Sequence, residues 1–179
     1  MHPDVERILF SKDEVDAIVA SVAARINEDY AGKTVLCIGI LKDACTFMMD
    51  LIRKLPDVDV EVDYMVVSSY GSSAVSSGNV KIVKDLSCDI EGRDILMVED
   101  ILDTGRTLTK VMGMLAERKP ASMELAVFLE KDLGIERDIT PKYLGGICPD
   151  EFVVGYGLDY NEKYRHLPYL GVLKREVYM

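Results

Sequence analysis

Three carboxylates and two hydroxyls lie close together in the segment 98–108, whose sequence is VEDILDTGRTL. Glu99 and Asp100 follow an apolar run, and Asp103 comes three residues later. Ligands of open α/β sheets bind at the carboxyl ends of parallel strands, where these acids are expected. Thr104–Thr107 precede an amphipathic helix, and a helix start offers free backbone N–H groups and a positive dipole end. The segment therefore predicts a site for a ligand with a phosphate at one end and hydroxyls or a metal ion at the other.

A purely structural interpretation of the same segment is also available. Asp103 and Thr104 are suitable helix caps, and Glu99 with Asp100 suits a solvated turn. However, adjacent carboxylates repel one another unless a cation or hydrogen-bond donors compensate, which favours a functional role. The phosphate motifs G-x-x-x-x-G-K-[ST] and G-x-G-x-x-G are both absent. Any phosphate is therefore expected to bind at this helix start, where Gly105 lets the backbone come close.

Alternating strand and helix patterns predict an α/β fold around this segment. A capping box at Ser11–Glu14, followed by apolar residues at helical spacing, predicts a first helix that ends at Gly32. Further apolar patterns predict strands at 35–40, 58–67, 80–86, 95–98 and 125–129, and helices at 47–55 and 108–115. This alternation is typical of a parallel sheet covered by helices on both faces.

The length of 179 residues favours one domain. We expect a core at about 33–130 and a small hood lobe at about 1–12 and 131–179. Short strands are predicted at 152–156 and 169–173, and we assign them to the appended lobe together with the N-terminal helix. The Ser- and Gly-rich stretch at about 69–79 is predicted to be a flexible lid; a tolerated surface loop is the alternative.

The composition excludes several classes of protein. The formal net charge is −10, which opposes binding to nucleic acid or to anionic membranes. Four cysteines without a C-x-x-C pair, and no basic start followed by an apolar stretch, predict a reduced cytoplasmic protein. Two histidines argue against a His-rich zinc site or a Ser-His-Asp triad. No apolar run is long enough to cross a membrane.

The segment VEDILDTGRTL resembles the phosphoribosyl-diphosphate (PRPP) motif of type I phosphoribosyltransferases. Further segments narrow the resemblance to the hypoxanthine-guanine enzymes: Ile40-Leu41-Lys42, Ser69-Tyr70, Lys131, and 152–162 with Arg165. The matching segments span about residues 5–175. The resemblance implies a central parallel sheet flanked by helices, with a hood lobe from the N- and C-terminal segments. It also implies transfer of a phosphoribosyl group from PRPP to N9 of a 6-oxopurine, with Mg²⁺ as cofactor.

The resemblance further implies roles for the residues of the acidic segment. Asp103 matches the family's general base, which exchanges a proton with purine N7 as N9 attacks. Magnesium carboxylates are implied at Glu99, Asp100 and Asp159, with Asp159 as the direct ligand. The implied PRPP-binding residues are Glu99, Asp100, Asp103, Thr104, Gly105, Arg106 and Thr107.

Purine binding is implied for four residues of the last third. Lys131 matches the residue that donates to the 6-oxo group, although an exposed lysine in a polar loop is the ordinary alternative. Phe152 matches the ring that stacks on the purine, and a core aromatic is its ordinary alternative. Carbonyls of Val153 and Asp159 are expected to accept from the edge of the base.

Pyrophosphate contacts are implied for Lys42 and Arg165, with Asp43 in the same segment, and Ser69 and Tyr70 are implied contacts of the lid. The family's Leu41–Lys42 peptide can be cis. Arg106 stands where many members have lysine or a small apolar residue, and Asp43 stands where glycine is frequent. The arginine preserves hydrogen-bond donors, whereas a carboxylate near pyrophosphate repels it unless its side chain points away.

Two other functions remain open from the sequence. One is a regulatory protein of the same fold that senses PRPP or nucleotides. The other is a sister enzyme that acts on xanthine or on a pyrimidine. The expected partners are PRPP and a 6-oxopurine base, with neither nucleic acid nor membrane, in a homodimer or homotetramer.

Overall fold

The computed structural model describes residues 1–69 and 80–179. Along the chain, the elements are β1 (Val5–Phe10), α1 (Lys12–Tyr30), β2 (Thr34–Ile40), α2 (Ala44–Ile52), β3 (Asp59–Ser69), β4 (Val80–Lys84), β5 (Asp94–Leu102), α3 (Arg106–Ala116), β6 (Ser122–Asp132), β7 (Tyr143–Pro149), β8 (Val153–Val154), β9 (Leu170–Leu173) and α4 (Arg175–Tyr178).

Within the described residues, the main sheet has six strands in the order β4-β3-β2-β5-β6-β7, and only β4 runs antiparallel to its neighbour. The inner strands β2, β5 and β6 are apolar and buried, because α1 and α2 cover one face and α3 covers the other. From β2 the chain goes outward to β3 and β4 and then returns to β5 on the other side of β2. The strand order thus reverses between β2 and β5, which is where such sheets bind ligands.

The predicted capping box begins α1: the amide of Glu14 donates to Ser11 Oγ, and the amide of Ser11 donates to a Glu14 carboxylate oxygen at 2.7 Å. The assignment of this helix to the appended lobe is wrong. Its apolar side, from Val15 to Tyr30, is buried in one cluster with residues of α2, β6 and β7. An amphipathic pattern shows that one side of a helix is buried, but not which surface buries it.

Strand β7 lies in the region predicted as hood, yet it pairs in parallel with β6 and completes the main sheet. The prediction missed it because its glycines weaken the strand pattern. A Cβ at Gly145 would lie 2.3 Å from the Phe128 carbonyl oxygen and 2.6 Å from Ile18 Cγ2. Glycine is therefore required where α1 packs directly on this edge of the sheet.

The second sheet is antiparallel, in the order β1-β9-β8, and joins the N-terminal segment to the last third of the chain. Strand β1 has no counterpart among the predicted strands. In the predicted lid, the backbone of Ser69 pairs with Val80 at the end of β3. Tyr70 and the rest of the lid lie outside the described residues. Within the described part of the chain, no helix is long and apolar enough to cross a membrane.

Candidate active site

Three segments with polar side chains meet at the carboxyl edge of the main sheet. The chain leaves β2 through Leu41, Lys42 and Asp43, leaves β5 through the turn 103–107, and ends β6 near Lys131. The peptide bond between Leu41 and Lys42 is cis. Strands β2, β5 and β6 are neighbours in the sheet, and the strand order reverses between β2 and β5. The sheet topology therefore brings together segments that are far apart in the sequence.

The acid pair Glu99 and Asp100 lies within β5 itself, and Asp100 is only 5% exposed. The solvated-turn interpretation is therefore wrong. Glu99 Oε2 and Asp100 Oδ2 have no hydrogen-bond partner among the residues that the structure describes. One buried, unpartnered oxygen on each of two neighbouring carboxylates fits a cation, or a ligand that brings hydroxyl donors.

Burial is the main cause that raises the pKa of both acids. It raises the pKa of Glu99 well above its usual range, and the charges of Asp100 and Asp43 add to this effect. The pKa of Asp100 rises to about 7, through burial first and the charge of Asp43 second. In the absence of a ligand, both carboxyl groups are therefore harder to ionise than an ordinary exposed carboxyl group.

The turn before α3 has the geometry of a phosphate site. Gly105 is the N-cap, with a φ of 74°, and a Cβ there would come within 3.0 Å of Ile139 Cγ2. Within residues 1–69 and 80–179, no side chain makes a capping hydrogen bond to this helix, so the interpretation of Asp103 and Thr104 as its caps is wrong. The first amides of α3 thus remain available to an anion. They border a cavity of about 230 Å³, the turn cavity, which is lined by Glu99 and residues 101–108.

A second cavity, the inner cavity, has a volume of about 150 Å³. It is lined by Ile101, Asp103, Lys131, Phe152, Val153, Leu158 and Asp159. Ile101 and Asp103 line both cavities, so the two adjoin. The structure thus brings together Asp103 and Lys131, which are 28 residues apart in the sequence. The Lys131 side chain is 18% exposed, and its ammonium lies 3.6 Å from an Asp150 carboxylate oxygen.

The second sheet supplies one wall of the inner cavity. Phe152 stacks on Tyr178, with 4.8 Å between ring centroids and 24° between the planes. Tyr178 thus covers one face of Phe152, and Tyr160 contacts the same ring in a T-shaped arrangement, with 5.5 Å between the centroids. The Phe152 carbonyl accepts from the Leu173 amide, and Val154 pairs with Gly171, so the polar backbone groups of Val153 point away from β9. Since β8 is an edge strand, the Val153 carbonyl has no strand partner among the described residues.

Arg137 was not predicted from the sequence, yet it joins the two sides of the inner cavity. Its Nε donates to the Asp103 carbonyl at 2.6 Å, and its Nη2 donates to the Lys131 carbonyl. Its Nη1 donates to Glu130 Oε1 at 2.6 Å, and the side chain is almost fully buried. Arg137 lies in a polar loop, where no helical or strand periodicity marks a residue as important. Two of its partners are backbone carbonyls, which every residue has, so the sequence does not reveal these hydrogen bonds.

The predicted pyrophosphate residues form an ion-pair cluster beside these cavities, consisting of Lys42, Asp43, Asp159, Glu162 and Arg165. Lys42 Nζ lies 2.8 Å from Glu162 Oε1. The Arg165 guanidinium contacts the carboxylates of Asp43 and Asp159, the second at 2.9 Å. Because Asp159 also lines the inner cavity, the cluster and the cavity are continuous.

The Phosphoribosyl transferase domain model matches residues 9–161, which is most of the chain. The chain belongs to the phosphoribosyltransferase family. The predicted fold class, a mostly parallel sheet flanked by helices, is confirmed.

Two curated relatives of this phosphoribosyltransferase chain are each 46% identical to it over 178 residues. The hypoxanthine-guanine phosphoribosyltransferase of Staphylococcus aureus (strain Mu50) matches over 99% of both chains. The bifunctional protein TilS/HprT of Listeria monocytogenes (serotype 4b) matches 99% of this chain, which spans only 27% of that protein's length. A crystal structure of a Staphylococcus aureus hypoxanthine phosphoribosyltransferase gives a TM-score of 0.95 at 46% identity, covering 100% of this chain and 97% of that one.

The predicted metal carboxylates do not form a complete protein site. Within residues 1–69 and 80–179, no three His, Cys, Asp or Glu side chains are grouped to hold a metal ion by themselves. The unpartnered oxygens of Glu99 and Asp100 nevertheless fit a cation that takes its other ligands from substrate and water, as Mg²⁺ does.

The Asp100→Asn variant should stabilise the ligand-free phosphoribosyltransferase at pH 8. The pKa of Asp100 is about 7 in the folded chain and ~4 in an unfolded one. The native carboxyl therefore costs stability as pH rises from ~4 to ~7, and the full cost remains above that range. The neutral amide avoids this cost, so thermal unfolding without magnesium or PRPP should show a Tm gain of roughly 5 °C at pH 8 and almost none at pH 4.

Asp16→Asn is the control for this experiment, because Asp16 is exposed and Lys12 lowers its pKa. It should give no gain at pH 8. An Asp100→Asn gain of equal size at both pH values would contradict the assignment of a raised pKa.

Proposed function

We propose that this phosphoribosyltransferase transfers the 5-phosphoribosyl group of PRPP to N9 of hypoxanthine or guanine. The products are IMP or GMP and pyrophosphate. The observation that carries this proposal is the inner cavity, in which an acid and a lysine border one space beside the phosphate-binding turn. The name of the Staphylococcus aureus relative supports the choice of purine.

The turn and the acid pair bind opposite parts of PRPP. The amides and hydroxyls of Thr104–Thr107 hold the 5-phosphate at the start of α3, and Arg106 adds a charged donor. Glu99 and Asp100 accept hydrogen bonds from the two ribose hydroxyls through oxygens that otherwise lack donors. PRPP binding therefore satisfies buried polar atoms and holds the sugar next to the inner cavity.

Pyrophosphate departure is assisted by the ion-pair cluster. As the anomeric C–O bond breaks, negative charge grows on pyrophosphate, and Lys42 and Arg165 stabilise it. Asp159, with Glu99 and Asp100, would hold Mg²⁺, which neutralises the leaving group when bound. The positive charge on the ribose ring is stabilised by the nearby carboxylates of the acid pair.

The purine binds in the inner cavity, and Asp103 accepts the proton that leaves N7 as N9 attacks the sugar. Lys131 donates to the 6-oxo group, Phe152 stacks on the ring, and the carbonyls of Val153 and Asp159 accept from its edge. An ammonium only donates, and the 6-amino group of adenine is a donor too, so adenine is rejected.

The remaining predictions from the sequence stay proposals. The lid predicted at about 69–79, with Ser69 and Tyr70 as substrate contacts, remains a prediction from the sequence, because residues 70–79 lie outside the described residues. The lobe built on the second sheet acts as the hood. We also propose a cytoplasmic enzyme that forms a homodimer or homotetramer.

One competition assay tests the reaction. Hypoxanthine, guanine, xanthine, adenine and uracil are supplied together with PRPP and Mg²⁺, and each nucleotide product is quantified by mass spectrometry. IMP and GMP should account for nearly all product. Dominant xanthosine or uridine monophosphate would identify a sister enzyme, and PRPP binding without any nucleotide product would indicate a sensor.

A further inference from the structure

Both cations of the ion-pair cluster are already bound to carboxylates of this chain. Arg165 Nη1 contacts Asp43, and its Nη2 lies 2.9 Å from Asp159 and 3.4 Å from Glu162. Lys42 contacts Glu162 at 2.8 Å. The cluster thus holds two positive and three negative side chains, at the place proposed for a highly charged anion.

Among the described residues, the Asp43 carboxylate has no structural contact other than the one with Arg165. It is the N-cap of α2, but its side chain makes no capping hydrogen bond. In the part of the chain that the structure describes, its carboxylate hydrogen-bonds only to Arg165. The Asp43 side chain is 48% exposed, so solvent reaches it and an exchange of partners is sterically open.

The backbone fixes this contact in place. A Cβ at Gly157 would lie 2.8 Å from the Asp43 carbonyl oxygen, so residues 157 and 43 pack directly together. The Gly157 carbonyl accepts from Arg165 Nη1 at 2.7 Å. The guanidinium therefore stays beside Asp43 whether or not the carboxylate is bound to it.

Arg165 also keeps an unused donor. Its Nε is buried and has no acceptor among the described residues. A pyrophosphate group offers more oxygens than one carboxylate and suits the planar fork of an arginine better. It can thus displace Asp43 from the guanidinium, but it must then bind close to the displaced negative charge.

We propose that Asp43 competes with pyrophosphate for Arg165: it occupies the guanidinium in the free enzyme, leaves when PRPP or pyrophosphate binds, and returns when pyrophosphate departs. This inference rests on one part of the proposed function, the assignment of Arg165 to pyrophosphate, and not on the transfer reaction itself. Asp43 weakens binding of both ligands and favours release of the product. In the same way, Glu162 competes with pyrophosphate for Lys42. This effect is smaller, because both side chains are well exposed.

Calorimetric titration with magnesium pyrophosphate tests the proposal without relying on turnover. Asp43→Asn keeps the size of the side chain and removes its charge, so the Kd should fall about tenfold, as expected for loss of one nearby like charge. Asp43→Glu retains the charge and should stay within about threefold of wild type. Asp43→Gly removes the competitor entirely and gives a second measurement if the Asn variant folds poorly.

Asp85→Asn is the matched control. Asp85 binds both terminal nitrogens of Arg118 at 2.9 Å, beyond the end of α3 remote from the turn. This variant should bind pyrophosphate like wild type. A Kd for Asp43→Asn and Asp43→Gly that equals or exceeds the wild-type value would overturn the proposal, and so would absence of binding by every variant.

The base competition assay separates failure of this inference from failure of the proposed function. An enzyme that makes IMP but shows no change in pyrophosphate affinity on loss of Asp43 would overturn only the inference. A chain that makes no nucleotide but shows the tenfold change would overturn the proposed reaction and retain the inference.

Discussion

Replacement of Asp103 by Asn should slow IMP formation by about 100- to 1,000-fold, the size expected for loss of a positioned general base. Asn has nearly the same shape but cannot take the proton from purine N7. The backbone carbonyl of Asp103, which Arg137 holds, is unchanged by the substitution. PRPP affinity measured by calorimetry should therefore change only a few-fold, whereas the single-turnover rate should fall.

Asp132→Asn is the control for this rate measurement. Asp132 is exposed, lies at the end of the neighbouring strand β6 and lines neither cavity. Its rate should match that of wild type. If Asp103→Asn retains a rate within a few-fold of wild type, Asp103 is not the base.

Lys131→Ala should lower the preference for hypoxanthine over adenine, measured as the ratio of kcat/KM values, by roughly 100-fold. The variant loses the donor to the 6-oxo group, so hypoxanthine turnover falls. It also loses the ammonium that opposes the 6-amino group, so adenine is no longer rejected by an unpaired buried charge. Both changes move the ratio in the same direction.

Lys142→Ala serves as the comparison for Lys131, because Lys142 precedes β7 at the opposite edge of the parallel sheet and binds Asp29 there at 3.0 Å. The preference should be unchanged in this variant. An unchanged preference in Lys131→Ala would remove the lysine from the recognition of the base.

The β5–turn–α3 segment could be predicted because all of its information is local. An apolar run, a glycine and an amphipathic pattern follow one another within about twenty residues, and each has a direct physical meaning. The depth of Glu99 and Asp100 could not be predicted in the same way. Strand β5 continues through Leu102, and the apolar run alone does not show that pairing with β6 extends past the acids.

Features that depend on packing between distant segments could not be predicted from the sequence. The position of α1 on the main sheet depends on its close approach to Gly145, more than a hundred residues away. The Asp43 carboxylate is bound by Arg165, which lies far away in the sequence. The sequence alone indicated only that a carboxylate is unfavourable near pyrophosphate. No single-sequence pattern relates such pairs.

The three hydrogen bonds of Arg137 also constrain how this enzyme can change. One guanidinium ties together the backbone of Asp103, which we propose as the base, and the backbone of Lys131, which we propose to select the purine. An insertion or substitution in residues 133–139 that shifts this arginine would alter proton transfer and purine choice at the same time. A change of nucleobase preference that leaves Asp103 in place is therefore expected to need side-chain replacement around Arg137 rather than remodelling of the loop 133–139.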